Sequence, residues 1–456
     1  MSELMKQISD YVDSHADELV SSLQNFLRQP SISTENIGME ECTDMLSREL
    51  KTLGMDHRIL ELEGAFPAIY GVSKTERANK QLVVYGHYDV QSPDPVDRWT
   101  SDPFSAEIRD GMIYARGATD DKGNLWANIK AAEVLKNVTG KIPAGLKFFF
   151  EGEEEIGSPN LAKFFSTYSD VLSSDACLLC DRGVHESGRP QFYLGNKGLM
   201  EVEISCKRAK RDVHSGHAPL IPNAIWDLVR LLNSMKNTLD EITIDGYNDN
   251  VKAPSEEELN LIRDIPYDLE QFKKEYAIPE ILGGSDDPVE VIKRLIYTPT
   301  CNISGIKGGW AGERGKTIVP CEAWVRLDMR LVKGMSIAQA KEKLIDFIEK
   351  SPFGHFDVKV KANNEPYQCS PNHELVKLSA RLATKVYGRA PVVWPLLDGS
   401  GPMCMFPQYL GGDVFIIGLG APFSTANTHA PDENISIEQY LTAIKLMANI
   451  FHEYLD

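Results

Sequence analysis

The stretch Gln81–Asp89, QLVVYGHYD, decides how this chain is read. Leu82-Val83-Val84-Tyr85 is a short apolar run closed by a glycine, the pattern of a buried strand. Ligands of open α/β sheets sit at the carboxyl ends of such strands. His87 and Asp89 stand at that end. The pair suits a metal, because an imidazole can bind through one nitrogen while a carboxylate fixes the proton on the other. Taken alone, a His-x-Asp pair is more often structural. Its meaning depends on what the chain brings to its other strand ends.

Two further strands end in the same way. Leu146–Phe150 runs into EGEEEIGS, which sets Glu151, Glu153, Glu154 and Glu155 together. Like charges packed this closely are unfavourable unless a cation neutralises them. The apolar run Ala176–Cys180 ends at Asp181. Between the strand at 82–87 and the one at 146–150, RGATDDKG places Asp120 and Asp121 ahead of a helical pattern of Leu125, Trp126, Ile129, Ala132 and Leu135. Acidic residues in that position are commonly caps and dipole partners.

The chain has 456 residues, enough for two domains. Its 42% hydrophobic and 25% charged content is ordinary for a globular protein. A net charge of −18 disfavours nucleic acid and anionic membranes as partners. The N-terminal stretch has no signal-peptide pattern, and no run of ~18 apolar residues reads as a membrane span. Eight cysteines lack a disulfide-framework spacing. With the missing signal, this predicts reduced thiols and a cytoplasmic location. Cys177 and Cys180 form the one strand-borne CxxC and read as buried structural thiols.

Helical spacing covers 3–28 and about 38–54. From 197 the character changes. Met200–Cys206 and Cys321–Leu331 alternate apolar and polar residues, the mark of a half-buried antiparallel sheet. Helical patterns at 222–238 and 336–350 complete an α+β unit. The polar stretch 238–295 is expected to add short helices and loops to it. From about 370 the α/β character returns, with a strand at Val414–Gly418, a loop holding His429 and a final helix at about 436–455. The expected fold is an α/β catalytic domain built from 1–196 and 365–456, with a mixed sheet flanked by helices. An α+β lid or dimerisation domain, 197–364, is inserted into it.

Six motifs, GHYDVQ (86–91), RGATDDKG (116–123), EGEEEIGS (151–158), CD (180–181), DVHSG (212–216) and THAPDE (428–433), occur in this order along essentially the whole chain. Together they resemble the M20 metallopeptidase family, which includes di-zinc dipeptidases and related deacylases. The resemblance implies a dinuclear site. His87 and Asp181 would hold one metal, Glu155 and His429 the other, and Asp120 would bridge them. Asp89 would orient His87, Glu154 would be the general acid/base, and Glu153 a bystander. A cis Asp120–Asp121 bond is also implied. His214, in HSG, would reach the active site of a neighbouring subunit in a homodimer made through the inserted domain, with His217 as a competitor. Thr317 in GKTIVP, Arg330 in DMRLV and Ser400 in DGSGP resemble substrate-binding positions of the dipeptidase branch.

Two histidines and three carboxylates suit Zn²⁺ first, and also Mn²⁺ or Co²⁺. A shared water of lowered pKa would attack the scissile carbonyl, with Glu154 moving the proton to the leaving amine. Arg330 could fork a terminal carboxylate. Asp181, the long insertion and GHYDVQ favour a dipeptidase acting on small peptides with a free C-terminal carboxylate. The alternatives are an N-acyl amino-acid deacylase of the acetylornithine or succinyl-diaminopimelate type, and a non-catalytic metal- or peptide-binding protein. The loop 182–190, RGVHESGRP, matches no pattern and leaves amine-end specificity open.

Overall fold

The computed structural model describes residues 2–74 and 78–456. Twelve strands form its two principal sheets. In chain order they are β1 (Asp56–Leu60), β2 (Ala68–Val72), β3 (Leu82–His87), β4 (Leu146–Glu151), β5 (Ala176–Leu179) and β6 (Gln191–Tyr193), then β7 (Gly198–Lys207), β8 (Asn302–Gly308), β9 (Glu322–Leu331), β10 (Asp357–Asn364), β11 (Val392–Trp394) and β12 (Asp413–Gly418).

The large sheet is mixed, with order β1-β2-β4-β3-β5-β12-β6-β11. Its centre, β4-β3-β5-β12, is wholly parallel. Every residue of β3, β4 and β5 is buried. That is why these strands read as continuous apolar runs and not as alternating ones. Parallel neighbours present all their carboxyl ends on one edge, so His87, the Glu-rich loop after β4 and Asp181 after β5 meet there. The loop after β12 brings His429 to the same edge.

Helices cover this sheet. The Lys122–Thr139 helix is buried nearly all round, and the Ile437–Leu455 helix packs along it. The expected helix over 3–28 is two helices, Glu3–Ser14 and Ala16–Leu27. At the break, the Tyr11 carbonyl receives the His15 amide and the Ser14 hydroxyl, and His15 Nδ1 lies 2.9 Å from it. Such local side-chain bonds compete with the helical ladder. The second helix is fixed to the metal-side loop by Lys122. Its buried ammonium donates to the carbonyls of Phe26 and Gln29, while Trp126 stacks on Phe26 at 4.4 Å.

The small sheet is antiparallel, order β8-β9-β7-β10, with its own core of Met200, Val202, Ile204, Val325, Leu327 and Met329 beneath the Ala224–Met235 and Ile337–Glu349 helices. The stretch 238–295 divides between the two sheets. Ile242, Ile244 and Tyr247 join the small-sheet core. The Glu256–Asp264 and Pro288–Tyr297 helices do not. Their Ile262, Ile265, Ile292 and Ile296 pack with Val392 and Leu396, at the β11 edge of the large sheet. The physical reason is an apolar edge strand that needs cover.

Candidate metal centre

His87 ends β3 with no exposed surface. Its Nε2 lies 3.1 Å from Asp120 Oδ1 and 3.9 Å from Asp181 Oδ1. His429 Nε2 lies 3.1 Å from Asp120 Oδ2 and 3.1 Å from Glu155 Oε2. Two groups of donors result, His87-Asp120-Asp181 and Asp120-Glu155-His429, each with its ligand atoms within 4.8 Å of one another. Asp120 belongs to both and turns one carboxylate oxygen toward each histidine. The Asp120–Asp121 peptide bond is cis. Asp121 points back into the sheet, where its carboxylate accepts the His87 amide at 3.1 Å. Gly86 makes room for it, since a Cβ there would lie 2.8 Å from Asp121 Oδ2.

The donors fit divalent cations. Each group mixes one imidazole nitrogen with carboxylate oxygens, a set used by zinc and by harder transition metals. Glu155 Oε1 is buried without a hydrogen-bond partner, while Oε2 accepts from Gln91 Nε2 at 3.0 Å. An orphaned carboxylate oxygen in a buried acidic cluster is what a cation satisfies.

The electrostatics agree. Hydrogen bonds accepted by Asp120 and then Glu155 push His429 up to about 10. Burial opposes protonation of His87, but the carboxylates of Asp120, Asp181 and Asp89 still raise it well above its ordinary value. Burial would raise Asp120 as well, yet His429 and His87 hold it well below the usual carboxylate range. Glu154 behaves in the opposite way. Burial foremost, with Asp181, Asp120 and Glu155 adding repulsion against the pull of His87, pushes it up to about 8. A carboxyl poised near neutrality can both accept and give a proton, although bound cations would draw it down.

Asp89 meets His87 with both its backbone and its side chain. The contact to His87 Nδ1 is made by the Asp89 backbone carbonyl at 3.0 Å, with the carboxylate 3.4 Å away. The buried carboxylate also accepts the amides of Glu154 at 3.2 Å and Glu155 at 3.1 Å. It therefore fixes the proton-transfer candidate and a ligand candidate together. Glu153 is buried and holds the same loop from the other side, accepting from Phe66 N at 3.0 Å and from Asn160 Nδ2. Both roles were hidden in the sequence, where a run of three glutamates gives no sign of which carboxylate faces inward. Glu433 and Arg116 were missed altogether. They stand inside two of the motifs but are not metal-ligand types in a recognisable spacing.

The four substrate-side candidates lie in two pairs outside the donor groups. Ser400 Oγ donates to the Gly198 carbonyl at 3.0 Å, and Arg330 sits opposite Leu199 in the β7–β9 ladder. Arg330 has no ion-pair partner among the described residues; Asp328 bonds to Asn302 at 2.8 Å instead. His214 is exposed, with Nδ1 accepting from Gly216 N at 3.0 Å, and the Ser215 amide donates to the Thr317 carbonyl at 3.0 Å. The loop 182–190 is tied to the segment leading to His429, because Glu186 accepts the Ser424 amide at 3.0 Å.

Asp89→Asn tests the added bonds to Glu154 and Glu155. His87 keeps its carbonyl partner, so the ion held on the His87–Asp181 side is expected to bind as before. The ion on the Glu155–His429 side is expected to weaken about 10–100-fold, read by calorimetric metal titration.

Comparison with known proteins agrees with this geometry. Peptidase family M20/M25/M40 matches residues 83–453. The Cys-Gly metallodipeptidase of Schizosaccharomyces pombe is 26% identical, with 98% of each chain covered. The human Beta-Ala-His dipeptidase is 27% identical over 99% of this chain and 92% of its own. Among solved structures, a metallo-carboxypeptidase of the M20 family from Sulfolobus solfataricus superposes with a TM-score of 0.85 at 35% identity, covering 96% of this chain and 99% of that one. Human carnosine dipeptidase 1 does so with a TM-score of 0.75 at 26% identity, covering 99% of each. The order of strands, the converging histidines and carboxylates and these likenesses make this chain a member of peptidase family M20/M25/M40, a family of dinuclear metal-dependent hydrolases.

Proposed function

We propose that the protein is a metallodipeptidase, hydrolysing dipeptides or short peptides that carry a free C-terminal carboxylate. The observation that carries this reading is Asp120, whose two oxygens each lie 3.1 Å from a different histidine. His87, Asp120 and Asp181 would hold one ion and Asp120, Glu155 and His429 the other, with Zn²⁺ the first choice and Mn²⁺ or Co²⁺ the next. When bound, the pair supplies Lewis acidity toward the scissile carbonyl and makes water more acidic.

The chain's own residues do the rest. Glu154 takes the proton of the attacking water and delivers it to the leaving amine. Asp89 keeps Glu154 and Glu155 in register through their amides. Arg330, free of other ion pairs among the described residues, forks the terminal carboxylate, and Ser400 lines its approach, while Thr317 sits beside His214 and comes to the substrate with it. His214 reaches the substrate carbonyl oxygen from a second copy of the chain. A homodimer through the small-sheet unit is supported by β8, an edge strand paired on one side only and exposing Ile303 and Ile306. Beside it, the 224–235 helix exposes Trp226 and Val229. An edge of this kind is a template for pairing with another chain. No helix among the described residues is long and apolar enough to cross a membrane, and all eight cysteines are free. Both fit the cytoplasmic reading.

A second reading is favoured by the 35% likeness to a metallo-carboxypeptidase: removal of the last residue from longer peptides. Metal-reconstituted protein is to be assayed on free-amine dipeptides, N-blocked dipeptides and N-acetyl or N-succinyl amino acids. Preference for free-amine dipeptides is expected. Preference for N-blocked dipeptides would establish the carboxypeptidase reading, and preference for acylated amino acids would overturn both. Glu154→Gln is expected to lower kcat by at least about 10²-fold while two ions still bind. The dimer has its own test. His214→Ala and Glu154→Gln proteins, each inactive, are expected to recover activity on subunit exchange, and no recovery after proven exchange would refute His214 acting in trans.

A further inference from the structure

We propose that Glu433 is a positioning residue for the metal centre, a buried carboxylate that locks the loop carrying Asp120 to the loop carrying His429. The inference rests on the dinuclear reading above and concerns a residue that is not itself a ligand candidate.

Glu433 has no exposed surface. Both of its oxygens are fully engaged by one short stretch of chain. Oε2 accepts from Arg116 Nη1 at 2.7 Å and from the Gly117 amide at 2.9 Å. Oε1 accepts from the Thr119 amide at 3.0 Å and the Asp120 amide at 3.1 Å. The last of these is the backbone of the residue shared by both donor groups. Three amides converging on one carboxylate form an anion-binding concavity, and the charge-assisted bonds are stronger than neutral ones would be.

The neighbouring residues extend the lock in both directions. The Glu433 carbonyl accepts the Ala115 amide at 3.0 Å, and the Asn434 carbonyl accepts Thr119 Oγ1 at 2.7 Å. On the other side, Asp432 accepts the Thr100 amide at 2.9 Å and its hydroxyl at 2.7 Å. Asn427, His429 and Asp432 all have positive φ, at 53°, 59° and 60°. Non-glycine residues are uncommon in that region, and three so close together need a surrounding that holds them there. Glu433 and its neighbours supply that constraint.

Arg116 completes the arrangement. It is buried, with its guanidinium 5.3 Å from the Trp99 ring, and its Nη2 donates to the Ser92 carbonyl at 3.3 Å. A third loop, the one following His87 and Asp89, is thereby tied to the same point. The guanidinium also neutralises Glu433, so the tether adds no net charge to a centre already crowded with carboxylates. A merely structural tether would affect stability alone. A positioning tether sets where Asp120 stands relative to His87 and His429, and so affects how tightly ions bind in a protein that remains folded.

The test uses the full chain, stripped of metal by chelator dialysis, with Zn²⁺ and Mn²⁺ titrated calorimetrically at a temperature where circular dichroism shows the native fold. Glu433→Gln keeps the size but offers one acceptor oxygen where two are used. It is expected to weaken ion binding at least tenfold and to speed hydrogen exchange of the Gly117, Thr119 and Asp120 amides in the metal-stripped protein. Lys333→Met, which breaks the distant ion pair with buried Glu258, is expected to lower stability with ion affinity unchanged. If Glu433→Gln titrates within twofold of the parent, the proposal is overturned whatever its thermal stability. Should that variant fail to fold, Glu433→Asp, which keeps the charge but falls short of the amides, is read by the same two outcomes. A parent protein that binds no pair of ions would bring down the dinuclear reading and this proposal with it. A parent that binds two, with variants indistinguishable from it, would overturn the role of Glu433 alone.

Discussion

Six carboxylates, those of Asp89, Asp120, Asp121, Glu154, Glu155 and Asp181, converge on two imidazoles at the carboxyl-end edge of the parallel centre of a mixed sheet. In so confined a space their mutual repulsion is the constraint that the rest of the structure answers. The answer has two parts. Some of the carboxylates are taken up by backbone amides, as Asp89 is by Glu154 and Glu155, and Asp121 by His87. The others turn toward the histidines and toward one another, leaving sites that positive charge must fill. Asp120 is the pivot, because it is the one carboxylate common to both groups.

The fold serves this arrangement by dividing labour between its two sheets. The large sheet and its loops hold the donors. These loops are short of freedom, cross-tied through Arg116, Lys122 and Glu153 to elements far away in the chain. The residues proposed to grip a peptide, Arg330 and His214, sit on the small-sheet unit, with Thr317 beside His214. Ser400, which comes from the large-sheet part, bonds to Gly198 where the two units join. A substrate held by both groups would bring the units together, a closure of the kind that sequesters chemistry from water.

Much of this was legible in the sequence, for a physical reason. Strands buried on both faces are mostly apolar, so β3, β4 and β5 announce themselves as apolar runs despite Lys147 within β4, and an ionisable residue at or just past the end of each marks its carboxyl end. The alternation of β7 and β9 was equally plain, since one face of an antiparallel sheet is wet. Other features depend on contacts that no local pattern encodes. The break at His15 arises from three groups competing for one carbonyl. The placement of the 256–264 and 288–297 helices follows from the apolar edge at β11, far away in sequence. His429 is separated from its strand by a long loop, and only its motif pointed to it. The carboxylate of Asp89 was expected beside His87 and lies 3.4 Å from its Nδ1, but the backbone carbonyl at 3.0 Å and the bonds to the amides of Glu154 and Glu155 carried no local signal. Glu433 carried no signal beyond its place in THAPDE.

The account stands or falls on two cations sharing Asp120. The most direct measurement is anomalous diffraction from crystals of the zinc-loaded protein, collected on both sides of the zinc absorption edge. The account predicts two zinc peaks in each subunit, one against His87 and Asp181 and one against His429 and Glu155, with Asp120 touching both. A single peak, or two peaks with Asp120 bound to only one of them, would contradict it.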